Sequence, residues 1–175
     1  QRISVPEAYS FDAVSQLGYI AARTETMELQ TGILPMYSRT PTNLAMTAAG
    51  LDYISGGRAV LGIGASGPQV IEGFHGVKYD YPVGRAREHA EICRQVWRRE
   101  KVDFHGKHYT LPLDEEHGGS GLGKSLKIIN HPVRERIPML LAAIGPKNTE
   151  LAAELFEEFQ PILFNPEKIN DAFGE

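Results

Sequence analysis

The chain is organised around the stretch Ser55-Gly-Gly-Arg-Ala-Val-Leu-Gly-Ile-Gly-Ala-Ser-Gly67. Its first three residues are typical of a helix end, because a double glycine disfavours helix and suits a left-handed cap. The apolar run at residues 59–63 predicts a short buried strand. The glycines and small residues that follow predict a loop whose backbone closely approaches another group. The stretch therefore indicates a helix, a tight turn and a strand whose carboxyl end opens into a ligand-facing loop.

The same residues contain a possible dinucleotide-binding pattern, G-x-G-x-x-G, at Gly62-Ile-Gly-Ala-Ser-Gly67. That pattern needs a helix at its third glycine and an acidic residue that ends a second strand about twenty residues later. Here Gly73 and Gly76 interrupt the chain after barely one helical turn, and Asp80 lies in a segment that does not have the character of a buried strand. The context therefore disfavours a Rossmann site.

The composition is that of an ordinary globular protein. The chain has 175 residues, 42% of them hydrophobic and 23% charged, with a formal net charge of -4. This charge gives no reason to expect nucleic acid as a partner. No apolar run approaches the roughly 18 residues of a membrane-spanning helix, so no membrane partner is expected either. The single cysteine, Cys93, excludes an internal disulfide and suits a reducing, cytoplasmic location.

Strand and helix signals alternate on both sides of the central stretch. Strands are predicted at residues 3–5, 27–34, 58–63, 137–144 and 161–164, and helices are predicted to begin at Ser10, at Thr40-Pro41, at Arg85 and at Lys147. Alternation with short links is typical of a parallel α/β sheet or barrel. Residues 137–144 are almost entirely apolar, as expected of a strand covered on both faces.

One domain is predicted over residues 1–175, with an irregular insertion at about residues 100–132. Within the insertion, alternating residues around Gly106 predict a β-hairpin over residues 102–111. A loop rich in acidic residues and glycine follows at residues 113–124. A second irregular stretch is predicted between Gly67 and Gly84.

Gly118-Gly-Ser-Gly-Leu-Gly-Lys124-Ser125 satisfies the P-loop pattern G-x-x-x-x-G-K-[ST]. A P-loop binds phosphate only between a strand and a helix, because the helix N-terminus and the backbone N–H groups must face the anion. The preceding residues are acidic and include Pro112, and the following residues favour an extended chain that ends at Pro132. A flexible glycine loop is therefore the favoured interpretation, with nucleotide binding as the alternative.

Neither the histidines nor Cys93 form a pattern that indicates chemistry. The six histidines are scattered, and His105 and His108 flank a turn glycine without a third metal ligand at suitable spacing. Cys93 occupies a core-facing position of a predicted helix, which favours a buried small side chain over a nucleophile. No metal site is predicted.

The position of a site follows from the loops that leave successive strands. These exits carry Glu7-Ala8-Tyr9, Thr31-Gly32-Ile33, Ala65-Ser66-Gly67 and Ile144-Gly145-Pro146. In parallel α/β proteins the site lies at the carboxyl ends of the strands. Small residues at three of the four exits leave room for a flat ligand, and few charges are present to bind a phosphate.

At these residues the chain resembles the bacterial luciferase-like monooxygenase superfamily, and in particular its coenzyme F420-dependent oxidoreductases. The resemblance extends over essentially all 175 residues. It rests on Val5-Pro-Glu-Ala-Tyr9, Leu29-Gln-Thr-Gly-Ile33, Arg39-Thr-Pro41, Leu51-Asp-Tyr-Ile-Ser-Gly-Gly-Arg58, Leu61-Gly-Ile-Gly64, Gly73-Phe-His-Gly76 and Ala142-Ala-Ile-Gly-Pro-Lys-Asn148. The most specific part is Asp-x-x-Ser-Gly-Gly-Arg followed by Leu-Gly-x-Gly.

The resemblance implies a (β/α)₈ TIM barrel of which this chain holds strands two to six. It implies an oxidoreductase that transfers a hydride between a small organic substrate and the ring of F420 or, as the alternative, FMN. It also implies a homodimer. Because a complete barrel has eight strands and about 250 residues, the chain is expected to be a fragment of a longer enzyme. A half-barrel that binds or assembles without catalysis is the remaining alternative.

The resemblance also assigns roles to residues of the strand exits. Glu7 and Tyr9 match the substrate-side wall and are the candidate catalytic residues, since a carboxylate beside an apolar pocket would suit proton transfer. The candidate cofactor-binding residues are Ala8, Thr31, Gly32, Ile33, Ala65, Ser66, Gly67, Ile144 and Gly145. The peptide bond between Gly32 and Ile33 is expected to be cis. Ala8 stands where several relatives have a histidine, so a histidine acid or base is absent from that position.

Overall fold

The computed structural model describes residues 1–162 and 165–170 of the chain. The elements follow in the order β1 (Arg2–Val5), α1 (Ala13–Ala21), β2 (Glu28–Thr31), β3 (Leu34–Pro35), α2 (Pro41–Ser55), β4 (Ala59–Gly64), α3 (Pro68–Ile71), α4 (Pro82–Trp97), β5 (Phe104–His105), β6 (Thr110–Leu111), β7 (Met139–Ala142), α5 (Pro146–Leu155), β8 (Glu158–Gln160) and a 3₁₀ turn (Pro166–Lys168). Among these described residues, no helix is long and apolar enough to cross a membrane.

A parallel sheet with the strand order β1-β2-β4-β7-β8 forms the centre of the molecule, and β3 extends the line of β2 by pairing with β4. The sheet is curled enough that its two edge strands meet: Arg2 on β1 forms an ion pair with Glu158 on β8. Gln30 Nε2 also lies 3.4 Å from Gln160 Oε1 on the same inner face. The predicted α/β fold, a barrel represented in part, is confirmed.

The residues of strand β4 alternate between the two faces of the sheet. All six of its residues are buried, and Ala59, Leu61 and Ile63 belong to the hydrophobic core that contains the buried side chains of α1, α2 and α4. The alternate residues point to the inner face, as the period of two in a strand requires. A Cβ placed on Gly64 would lie 3.1 Å from the Cβ of Ala142 on β7.

The turn between α2 and β4 follows the prediction from Ser55-Gly-Gly-Arg58. Gly56 ends α2 in the left-handed conformation with φ 68°. The Arg58 guanidinium then donates to carbonyl oxygens at the ends of both α1 and α2, at 3.1 Å from Ala21 O and 2.7 Å from Ser55 O. A cation at two helix C-termini is favourable because the helix dipoles are negative there.

The start of α2 is also as predicted, whereas the start of α1 is not. Thr40 caps α2, with Pro41 as its first residue. Helix α1 is capped by Asp12 rather than by Ser10, because Asp12 Oδ2 accepts from the backbone N–H of Ser15 at 2.6 Å. Asp12 immediately precedes Ala13, the first residue of the helix, so its carboxylate satisfies one of the N–H donors that the first turn leaves without a helical partner.

The predicted hairpin of the insertion is confirmed by antiparallel pairing between β5 and β6. Its turn is fixed to α4 by the buried carboxylate of Glu88, which accepts backbone N–H groups of Lys107, His108 and Tyr109 at 2.7–3.1 Å. Between residues 112 and 138 the chain contains neither helix nor strand. Lys124 is therefore not followed by a helix, and the P-loop alternative lacks its structural context.

Two local predictions require correction. The stretch between Gly67 and Gly84, predicted to be irregular, contains the short helix α3 and the start of α4, which begins at Pro82 rather than at Arg85. A strand was predicted at residues 161–164. Leu163 and Phe164 lie outside the described residues, Pro161 and Ile162 are not in a strand, and the last strand of the described part of the chain is Glu158–Gln160. Glu158 and Gln160 face the concave side and bond to polar groups there, so the strand does not have the apolar signal on which the prediction depended.

Candidate active site

The carboxyl ends of β1, β2, β4 and β7 lie at one edge of the sheet, since these strands are parallel. The four predicted exit loops therefore meet at this edge. Tyr9 and Ile144 are exposed there, each with 70% of its surface accessible. Thr31, at the end of β2, is buried with 2% accessible. The edge thus combines exposed apolar side chains with a fixed backbone.

A one-residue bulge lies at the centre of this edge. Gln30 pairs with Val60 and Leu34 pairs with Ile63, so three residues from Thr31 to Ile33 face only two on β4. The bond between Gly32 and Ile33 is cis, as the resemblance implied. The bulge turns Ile33 away from regular pairing and towards the inner face of the sheet.

Ile33 forms an apolar floor together with small residues on the neighbouring strands. A Cβ on Gly64 would meet Ile33 Cδ1 at 2.9 Å and Ala142 Cβ at 3.1 Å, so these three residues lie side by side across the sheet. A flat apolar surface of this kind fits one face of a flavin or deazaflavin ring. Gly64 and Ala142 are members of the floor that the residue-by-residue predictions did not include.

In the loops that follow β4 and β7, Ser66, Gly67 and Gly145 bring little side-chain bulk to this edge of the sheet. Ser66 adopts a left-handed conformation with φ 55°, and its carbonyl oxygen accepts a bond from Tyr79 Oη at 3.4 Å. Gly67 precedes α3 and Gly145 precedes α5, in both cases as the residue before the first helical turn. Gly145 has φ 83°, and apart from its own chain neighbours no described residue has an atom within 4 Å of the position of its missing Cβ.

Glu7 is held by two neighbouring residues, Ala13 and Arg39. Its Oε2 accepts from the backbone N–H of Ala13 at 2.9 Å, and its carboxylate forms an ion pair with Arg39. Arg39 Nη2 also lies 3.1 Å from Asp12 Oδ1. The Glu7 side chain is 11% accessible, so the carboxylate is enclosed rather than directed into the open edge.

Asp12 belongs to the same cluster of charges. The pKa of Asp12 is lowered, first because the Ser15 hydroxyl donates a hydrogen bond to the carboxylate and further because the Arg39 guanidinium is nearby. The cluster connects the loop after β1 to Arg39, which lies just before the N-cap of α2. No role was predicted for Arg39, because a single cation in Arg39-Thr-Pro41 does not indicate which carboxylate it pairs with.

Tyr9 lies next to Phe74, an aromatic residue that the predictions did not assign to the site. Their ring centroids are 6.3 Å apart at 52°, and both rings are exposed. Phe74 also contacts the ring of His75 edge to face, at 5.3 Å. The signal for Phe74 was present in Gly73-Phe-His-Gly76, although periodicity alone could not place that loop beside β1.

Cys93 and the side chains that could bind a metal offer no second kind of chemistry in the described part of the chain. Burial raises the pKa of the Cys93 thiol to about 12, so it is neutral at physiological pH and unsuited to nucleophilic attack. Within residues 1–162 and 165–170, no three His, Cys, Asp or Glu side chains come together in a way that could hold a metal ion.

Residues 1–175 match the luciferase-like monooxygenase family along their whole length. The chain belongs to this family. It is 48% identical over 161 residues to a putative coenzyme F420-dependent oxidoreductase of Mycobacterium tuberculosis, an alignment that covers 91% of this chain and 46% of that protein. The chain thus spans about half the length of the curated relatives that it matches.

Solved structures of luciferase-like proteins share the fold. The coenzyme F420-dependent tetrahydromethanopterin reductase of Methanopyrus kandleri superimposes with a TM-score of 0.82 at 22% identity, over 98% of this chain and 50% of that one. The oxygenating constituent of 3,6-diketocamphane monooxygenase from Pseudomonas putida, in complex with FMN, gives 0.68 at 19% identity over 90% and 46%. At these identities the likeness concerns the fold alone.

The contacts of Glu7 change what its replacement is expected to do in this luciferase-like chain. In Glu7→Gln the amide keeps an acceptor for Ala13 but loses the charge that pairs with Arg39, so the loop carrying Tyr9 is expected to loosen. A positioning role predicts that turnover falls about tenfold or less and that KM rises. We would measure kcat and KM with any working substrate, as a function of pH.

Two results would separate the possible roles of Glu7. A role in proton transfer predicts a much larger loss of kcat and the disappearance of one limb of the pH profile. Arg39→Gln removes the same ion pair without touching the carboxylate, and it is expected to reproduce the effect of Glu7→Gln. If Arg39→Gln leaves KM and kcat unchanged while Glu7→Gln does not, the positioning role is wrong.

Proposed function

We propose that this chain supplies the cofactor-facing part of an oxidoreductase that transfers a hydride between a small organic substrate and the ring of coenzyme F420. The observation that carries the proposal is the bulge at Gly32 and Ile33, which lays Ile33 beside Gly64 and Ala142 at the carboxyl edge of the sheet. Sites of parallel α/β proteins lie at this edge. The 48% identical relative is named as F420-dependent.

The residues of the edge fit a flat ring. Ile33, Gly64 and Ala142 would support one face of it, and the small residues Ala65, Ser66, Gly67 and Gly145 would leave space around its rim. When bound, the deazaflavin ring accepts or donates a hydride at its central carbon. The chain's own residues bind and orient the ring, and they exclude water from the face that lies on the floor.

The substrate side of the proposed site is aromatic. Tyr9 and Phe74 are exposed and lie next to each other, and Tyr9 belongs to the loop that Glu7 and Arg39 hold. Both charges of that ion pair are enclosed and compensate each other. These residues would therefore contact a flat, apolar part of a substrate through their rings, rather than bind a charged group.

The proposal is tested by titrating the full-length protein with F420 and with FMN, following ring absorbance and fluorescence. We expect F420 to bind more tightly than FMN, since the more similar relative is F420-dependent and the FMN complex shares only the fold. Gly64→Val places a branched side chain where Ile33 and Ala142 already lie, and it is expected to weaken F420 binding at least tenfold. Gly50→Val, at an exposed position of α2, is the matched control.

Three results bear on the alternatives. Binding of neither cofactor would contradict the proposed function, and tighter binding of FMN would correct its cofactor. Equal F420 affinity of Gly64→Val and the wild type would show that the ring does not lie on the proposed floor. The homodimer and the cytoplasmic location stay predictions from the resemblance and the cysteine content.

A further inference from the structure

We propose that Thr31 is the positioning residue of the cofactor site: its hydroxyl replaces the backbone hydrogen bonding of β2 to β4 and thereby fixes the Gly32–Ile33 bulge. Thr31 was expected to touch the cofactor, and this proposal assigns it a different task. It rests on the proposed function, because the bulge matters for binding only if the ring lies against it.

The Thr31 hydroxyl bonds twice to one residue of the neighbouring strand. Oγ1 accepts from the backbone N–H of Gly62 at 2.8 Å and donates to the carbonyl oxygen of the same residue at 2.8 Å. In a regular parallel ladder both groups of Gly62 would be available to backbone partners. Because β2 bulges at this point, a side chain takes over that pairing.

Burial makes these two bonds matter. Thr31 is 2% accessible and Gly62 lies in the fully buried strand β4, so water cannot replace a lost partner. A buried N–H or carbonyl group without a partner is costly to leave unpaired. The hydroxyl donates its one hydrogen to Gly62 O and accepts a bond from Gly62 N–H. It is therefore poorly placed to bind a ligand as well.

The bulge is fixed on its other sides by backbone bonds. Gly32 donates to Val5 O at 2.8 Å, and Glu7 donates to Ile33 O at 3.3 Å, which connects the bulge to β1 and to the loop that carries Tyr9. On the side facing β4, strand pairing resumes only at Leu34, and before that point the Thr31 side chain provides the connection. Loss of the hydroxyl would therefore release the bulge on that side while its contacts with β1 remain.

The test compares F420 affinity in full-length Thr31→Val, Thr31→Ser and Thr24→Val. Thr31→Val is nearly the same size but has no hydroxyl, and we expect it to weaken F420 binding at least tenfold. Thr31→Ser keeps the hydroxyl and is expected to stay within about threefold of the wild type. Thr24→Val is the matched control, because Thr24 Oγ1 also makes two bonds, to Ile20 O and Arg58 Nη1, at the opposite end of the sheet.

A second readout uses the protein without cofactor. Amide hydrogen exchange in Thr31→Val should be faster at Gly62, whose N–H loses its acceptor, and at residues 32–34. The Thr24→Val control should speed exchange at these amides no more than at the other slow amides, because any loss of global stability affects all of them alike. A role in stability alone would make the two variants alike in F420 affinity once both are folded.

The outcomes are distinguishable from those of the proposed function. A wild-type protein that binds neither F420 nor FMN contradicts the proposed function itself. A wild type that binds F420 while folded Thr31→Val binds within twofold contradicts only the role of Thr31. Should Thr31→Val not fold, Thr31→Ser decides: retained affinity supports the role of the hydroxyl, and a tenfold loss overturns it.

Discussion

Replacing Arg58 with methionine is expected to lower the free energy of unfolding by about 3–5 kcal/mol, because it removes a charged group that donates hydrogen bonds to four backbone carbonyl oxygens. Arg58 donates to Ala21 O, Thr24 O, Met27 O and Ser55 O at 2.7–3.1 Å, and to Thr24 Oγ1 at 3.0 Å. Methionine fills part of the volume but bonds to none of these acceptors.

The measurement for Arg58 is equilibrium unfolding of the full-length protein in urea, with the slope compared as well as the midpoint. The free energy of unfolding of Arg58→Lys should lie between those of the wild type and Arg58→Met, since a single ammonium keeps the charge but cannot reach all five acceptors. Arg23→Met is the control: the Arg23 guanidinium lies 5.1 Å from the Tyr19 ring on the surface, and its loss should cost about 1 kcal/mol or less. A similar small loss for Arg58→Met would refute the structural role.

The fold was predictable because its signals are local. A double glycine ends α2, Thr40 with Pro41 starts it, and the apolar run of β4 follows at once, so each boundary is set by residues within a few positions. The last strand was misplaced for the opposite reason. Glu158 and Gln160 are polar because they face Arg2 and Gln30 across the concave side, which no local pattern reports.

The position of the site was predictable from the sequence, but the roles of its individual residues were not. Parallel strands bring their carboxyl ends together, so the four exits could be assigned to one edge. Whether Glu7 faces a substrate or a helix end depends on Arg39, which is 32 residues away in the chain. In the same way, the use of Thr31 depends on Gly62, 31 residues away. Such pairings arise from tertiary structure and leave no spacing that a single sequence reveals.

Replacing Gly62 with alanine is expected to have the other large effect, and it acts on the centre of the site. A Cβ on Gly62 would lie 2.0 Å from the Thr31 carbonyl oxygen and 3.1 Å from its carbonyl carbon. The obstacle is backbone, so no side-chain rotation can relieve it. The two strands must move apart, which breaks the bonds between Thr31 Oγ1 and Gly62.

We expect Gly62→Ala to lower the free energy of unfolding by about 3 kcal/mol or more, the sum of overpacking and two weakened buried hydrogen bonds. F420 affinity should fall at least tenfold in the protein that remains folded, because the displaced carbonyl belongs to the residue that begins the bulge. Gly50→Ala provides the contrast: beyond the backbone of α2 itself, no described residue has an atom within 4 Å of the missing Cβ of Gly50, so alanine there should stabilise the helix by up to about 1 kcal/mol. Unchanged stability and F420 binding in Gly62→Ala would mean that β2 and β4 can separate freely, and the bulge would then have no fixed position to offer a ring.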